Sequence, residues 1–168
     1  MRRCHPVPRQ WLMTDERMGE RLWAALDRLP KGSGVIFRHY SLPFAERRAL
    51  LARVERMAVR RRLVVLGAGV QASGGVHNGR GRGLISRSVH SRREAIAARR
   101  GRVDLVLASP IFATRSHPGA PALGPIRFAL MTRDLPMRVI ALGGMHAGSF
   151  RRLRALGAHG WAAIDAWL

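Results

Sequence analysis

The sequence is short of cysteine, lysine, acidic side chains and aromatic rings, and each shortage narrows what the protein can be. Its one thiol, Cys4, cannot close an internal bridge, so the fold must stand without disulfides, as suits a reducing cytoplasm. No apolar run reaches the roughly 18 residues that a membrane span requires. Met1-Arg2-Arg3 is followed by Cys4, His5 and Pro6 rather than by the apolar stretch of a secretory signal, so no membrane partner is expected. Aromatics make up 6%, which leaves little for base stacking, and no zinc-type or aromatic-rich nucleic-acid signature is present.

What is abundant is arginine. Of the 30 Lys+Arg only Lys31 is lysine, and against 10 Asp+Glu they leave a formal net charge of +20. Guanidinium groups fork onto phosphate and carboxylate, so an anionic small molecule is a natural partner. The excess is not read as a nucleic-acid footprint. Arg93, Arg99, Arg100, Arg151, Arg152 and Arg154 sit at spacings suited to solvated helix faces, and a GC-rich coding sequence produces the same composition.

With 168 residues the chain can bury roughly 70% of its extended surface as a single domain over 1–168, with 1–10 expected as a flexible tail. Short β-rich runs at 11–14, 35–38, 63–66, 75–77, 84–88, 104–107, 139–142 and 160–164 alternate with helix-period segments. Residues 16–29 place Leu22, Ala25, Leu26 and Leu29 on one face, and 44–60 does so with Leu50, Leu51, Val54 and Met57. Helices are also expected at 92–100, with Ser91 and Glu94 in a capping box, at 125–133, and at 149–156 with Gly157 beyond it. The connections 67–74 and 78–83 are too short and glycine-rich for helices. This alternation predicts an α/β fold with a parallel sheet. It is either a reduced (β/α)8 TIM barrel, with shortened third and fourth units and no final helix, or an open doubly wound sheet. Gly79-Arg80-Gly81-Arg82-Gly83 lacks the spacing and the following helix of a dinucleotide site.

Three stretches carry a resemblance. Ser88-Val89-His90-Ser91 followed by Glu94 and Ala95, Pro110-Ile111-Phe112-Ala113-Thr114 with His117 and Pro118, and Val139 to Leu142 followed by Gly143-Gly144-Met145 fall in order, together with Gly75-Val76-His77 and Gly157-Ala158-His159-Gly160. The chain thereby resembles the thiamine phosphate synthase and thiazole tautomerase (TenI-like) superfamily, over about 75–168 and more loosely over 35–52. The resemblance implies a barrel whose ligand lies at the C-terminal ends of the strands. It implies a transferase of thiamine biosynthesis that joins a hydroxymethylpyrimidine pyrophosphate to a thiazole phosphate and releases pyrophosphate. The alternative is a non-catalytic phosphate-ligand-binding paralogue that has lost its magnesium site.

Carried over residue by residue, the resemblance implies Arg38 and Ser88 on pyrophosphate and Thr114, Ser116 and His117 beside the thiazole. It also implies the amides of Gly143 and Gly144 on the thiazole phosphate, completed by Ile164, with Asp165 standing where the family has serine. Magnesium is expected from the family, yet its carboxylate ligands are absent. Leu66, Gly67, Ala68 and Gly69 fill the place of an Asn-Asp pair, and Gly81 or Arg82 that of a second aspartate. Arg80 or Arg82 could neutralise pyrophosphate instead, or be surface loop arginines. Pro110 replaces the tautomerase branch's histidine. Among the other histidines, His77 and His90 could face the mouth or be structural. His39, His117 and His146 follow strands without zinc-motif spacing, so no metal ligands are assigned.

Overall fold

A computed structural model describes residues 6–114, 119 and 121–168. Eight parallel strands close into a barrel in sequence order: β1 Gln10–Met13, β2 Gly34–Phe37, β3 Val64–Ala68, β4 Gly75–His77, β5 Leu84–Val89, β6 Leu105–Ala108, β7 Arg138–Leu142 and β8 Gly160–Ala163. Closure is made by β1 lying beside β8, with Trp11 level with Ala162, which excludes the open sheet. Five helices cover the outside: α1 Arg21–Arg28, α2 Phe44–Arg61, α3 Arg92–Arg100, α4 Gly124–Thr132 and α5 Ala147–Arg154.

Strands buried on both faces explain why the runs read as apolar rather than alternating. Inward residues Trp11, Met13, Ile36, Leu66, Leu105, Leu107, Ile140 and Ala162 fill the barrel. Outward residues such as Val35, Phe37, Val106 and Val139 meet the helices in two further clusters. Trp11 fits because Gly34 beside it has no side chain: a Cβ there would lie 2.1 Å from the indole.

The single helix expected over 16–29 is split. Asp15 caps a 3-10 turn, Glu16–Met18, and Gly19 follows at φ 49°, a left-handed conformation that ends the turn before α1 begins. Ser91 caps α3 by accepting from Glu94 N–H, but Glu94 reaches back to the His90 N–H rather than to that of Ser91. Replacing Ser91 with alanine should cost about 1 kcal/mol, seen as a lower urea midpoint with an unchanged slope. α5 starts at Ala147, earlier than expected, because His146 accepts from Gly148 N–H and Ser149 caps in return.

The two missing helices are replaced by loops that fold over β4. Gln71 bridges them, with Oε1 accepting from Arg82 N–H at 3.0 Å and Nε2 donating to Arg82 O at 3.2 Å. Gly81 lies so close that a Cβ there would meet Gln71 at 2.3 Å and Val76 at 2.7 Å. After β8 comes a 3-10 turn, Asp165–Trp167. Trp167 stacks on Trp161 at 5.0 Å and donates to Trp11 O at 3.1 Å, sealing the β1–β8 seam. Of the stretch expected as a tail, 1–5 lie outside the described residues. Val7 O accepts from His159, Pro8 O accepts from the Trp11 indole, and Gln10 already opens β1. Among the described residues no helix is long and apolar enough to cross a membrane.

Candidate active site at the barrel mouth

Residues two beyond an inward position point inward again, at the mouth. Arg38 follows Ile36, Ser109 follows Leu107, Leu142 follows Ile140 and Ile164 follows Ala162, and all four line one cavity of about 420 Å³. Its wall is completed by His90, by Pro110, Ala113 and Thr114 from the loop after β6, and by Gly143, Gly144 and Met145 after β7. The 3-10 turn at the chain's end contributes Asp165. A cavity of this size suits a small heterocyclic ligand.

The two glycines are needed for close approach. Gly143 has φ 97° and a Cβ there would lie 2.9 Å from Pro110 Cα, while Gly144 has φ 61° and a Cβ would lie 2.7 Å from Ala113 O. Gly143 O also accepts from Phe112 N–H at 3.1 Å. The loop carrying Thr114 is therefore clamped onto the loop carrying Gly143 and Gly144, and both loops line the cavity.

Half-buried Ser88 is held in a separate network anchored on buried His77 and Ser86. Asn78 Oδ1 accepts from Ser88 N–H at 2.8 Å, which turns Asn78 Nδ2 toward His77 Nε2 at 3.1 Å. Nε2 is then the acceptor, so Nδ1 carries the proton and donates to Ser86 Oγ at 2.8 Å, and Ser86 donates on to Val76 O. Ser88 Oγ lies 3.2 Å from His77 Nε2. Burial, reinforced by the Arg38 charge, pushes the His77 pKa down to about 4, so the ring is neutral. His90 is fixed differently: its Nδ1 lies 2.9 Å from Ser109 O, an acceptor only, so Nδ1–H donates, and the residue lines the cavity.

The carboxylates near the mouth are already engaged. Asp15 grips Arg17 at 2.7 and 2.9 Å, and these hydrogen bonds hold its pKa below the usual carboxylate range. Glu16 accepts from Ser41 N–H at 2.7 Å and from its hydroxyl at 2.5 Å, which lowers its pKa likewise. At the ends of β3 and β4 stand Ala68-Gly69 and Asn78-Gly79, with no carboxylate, and among the described residues no three His, Cys, Asp or Glu gather as a metal group. The residues present do not fit the magnesium site that the resemblance implies.

The structure thus brings Arg38, Thr114, Gly143, Gly144 and Ile164 to one cavity, and leaves Ser88 outside its lining, in the His77 network. Ser116 and His117 lie outside the described residues. His39 stacks on Phe37 at 4.8 Å and meets Thr14 Oγ1 at 3.1 Å, while His146 and His159 serve as a helix cap and a strand tie. His90, read from the sequence as either facing the mouth or structural, lines the cavity, as does Ser109, which was not singled out for it. His90 was legible in the Ser88-Val89-His90 alternation, where the second residue along faces the same way.

The family profile of thiamine monophosphate synthase matches residues 76–167, more than half of the chain. Thiamine phosphate pyrophosphorylase from Pyrococcus furiosus superposes at TM-score 0.77 with 20% identity, covering 94% of this chain and 86% of that one. The enzyme of that name from Bacteroides thetaiotaomicron gives 0.59 at 17% identity, with 95% and 84% covered. An HpcH/HpaI aldolase from Desulfitobacterium hafniense gives 0.55 at 12%, with 94% and 86% covered, so these likenesses establish the barrel and not the chemistry. No curated protein matches the chain. On the family profile, set on a closed barrel with a cavity at the strand ends, the chain belongs to the thiamine monophosphate synthase family.

Proposed function

We propose that the chain is a transferase that joins a hydroxymethylpyrimidine pyrophosphate to a thiazole phosphate. The carbon–oxygen bond to pyrophosphate breaks, with its electron pair leaving on the pyrophosphate, and the thiazole nitrogen donates its pair to the exposed carbon. Such a reaction needs charge neutralisation and positioning rather than a protein nucleophile. Arg38 and Ser88 receive the departing anion. The Gly143 and Gly144 amides take the thiazole phosphate, with Thr114 and Ile164 against the ring. Ser116 and His117 belong to the same thiazole loop by resemblance. Both substrates are anionic and phosphorylated, so we assign the reaction to the cytoplasm.

The observation that carries this reading is the convergence of Arg38, Thr114, Gly143, Gly144 and Ile164, from four separate strand ends, on one cavity of about 420 Å³. The lack of magnesium carboxylates favours a second reading, a phosphate-ligand binder without catalysis. Incubation of the purified chain with both substrates separates the two. Pyrophosphate release with formation of the coupled product is the expected result. Thiazole-phosphate binding without release would replace the transferase by the binder.

A further inference from the structure

The side of the mouth formed by β2 to β5 carries positive charge beyond the Arg38 that lines the cavity. Arg47, in the first turns of α2, reaches back over the sheet. Its Nη2 donates to Arg38 O at 3.0 Å and also to Ala68 O, two carbonyls at the ends of β2 and β3. A Cβ on Gly69 would lie 3.6 Å from Nη1 and 3.8 Å from Nη2. The guanidinium therefore stands over the place where the resemblance expects an Asn-Asp pair to hold a metal.

A second guanidinium shares the position. Tyr40 presents one ring to both, with Arg47 Cζ at 5.2 Å and Arg38 Cζ at 6.0 Å from its centroid. Among the described residues no carboxylate lies within salt-bridge distance of either, and Arg47 Nε is buried with no acceptor. Part of this potential reaches inward to His77, whose pKa is lowered chiefly by burial and further by Arg38. Two fixed cations repel a divalent ion and attract a polyanion. Beyond them, at the ends of β4 and β5, Asn78 and Ser88 add neutral polar groups.

We propose that the guanidinium groups of Arg38 and Arg47 take the place of the divalent cation, so that this side of the mouth binds a pyrophosphate group directly and without metal. The identity of the anion rests on the transferase reading; the charge arrangement does not. Magnesium loses its carboxylate anchors here because covalently attached cations already occupy their ground. Arg80 and Arg82, the arginines singled out by sequence, are exposed on the loop after β4 and are not part of this arrangement.

The test is calorimetric titration of the whole chain with inorganic pyrophosphate, in EDTA and then in magnesium. Binding in EDTA is expected, equal or weaker when magnesium sequesters the free ligand. Arg47→Gln should weaken it at least about tenfold, the size of losing a charge-assisted contact, with Arg47→Lys in between. If Arg47→Gln does not fold, Arg38→Gln, which leaves the carbonyls capped by Arg47 in place, is read by the same criterion. Binding seen only with magnesium, no binding in EDTA, or a folded variant that binds like the parent overturns the proposal. A chain that binds pyrophosphate in EDTA but ignores thiazole phosphate removes the transferase reading and leaves this one standing; the opposite pattern does the reverse.

Discussion

Replacing Gly144 with valine is expected to weaken thiazole-phosphate binding by about a hundredfold, the loss of roughly 3 kcal/mol of ligand contact. The cause is double. At φ 61° a β-branched side chain is strained wherever it points, and its Cβ would sit 2.7 Å from Ala113 O and 2.8 Å from Phe112 Cβ. The loop that carries Thr114 has to retreat, so the cavity loses the wall opposite the glycine amides. Overpacking and the strained backbone together should also lower stability by about 2–4 kcal/mol. Calorimetric titration beside a urea melt separates the two effects, because the variant is expected to remain folded at neutral pH while failing to bind. Parent-like affinity in Gly144→Val would mean that the ligand does not sit between these loops.

Acid destabilises the protein well before its carboxylates titrate, and His77 is the reason. Its pKa is about 4 in the folded barrel against 6.5 for the free side chain. Between those values the unfolded chain binds a proton that the folded chain refuses, so stability is full above about pH 6.5 and falls as pH drops toward 4. Two and a half pK units correspond to about 3 kcal/mol, an upper figure for one group. His39 has the same sign through its own burial, and the lowered carboxyls of Asp15 and Glu16 add to it at still lower pH. Urea unfolding at pH 7 and at pH 4.5 should show this loss, and His77→Gln, which has nothing to titrate, should show a smaller one. Equal pH dependence in parent and variant would mean that His77 does not carry the effect.

The strands were legible because parallel barrel strands are buried on both faces. Runs such as the one around Val139 to Leu142 have no other use in a chain so rich in arginine. Arg38, Thr114 and Ile164 could be singled out by resemblance; parity accounts for the first, since β2 ends at Phe37 and Arg38 then faces inward with Ile36. The Gly143-Gly144 pair could be singled out by motif. Its packing partners Pro110 and Ala113 could not be read, since they meet it only after β6 and β7 pair. Gln71, which pins the two glycine-rich loops, and Trp167, which seals the last seam, look like any polar loop residue and any terminal aromatic until the barrel closes. Arg47 was hidden for the same reason. It lies on the second turn of a helix with several other arginines, and only the return of α2 across the ends of β2 and β3 distinguishes it from Arg48.

The central claim is that this mouth holds a phosphorylated heterocycle between the Gly143-Gly144 amides and the loop of Thr114. Titration of the purified chain with thiazole phosphate tests it most directly. The account predicts saturable one-to-one binding with Kd in the range of about 1 μM to 1 mM typical of metabolic substrates, independent of magnesium and lost in Gly144→Val. No heat at saturating ligand, or binding that survives that substitution unchanged, would contradict it.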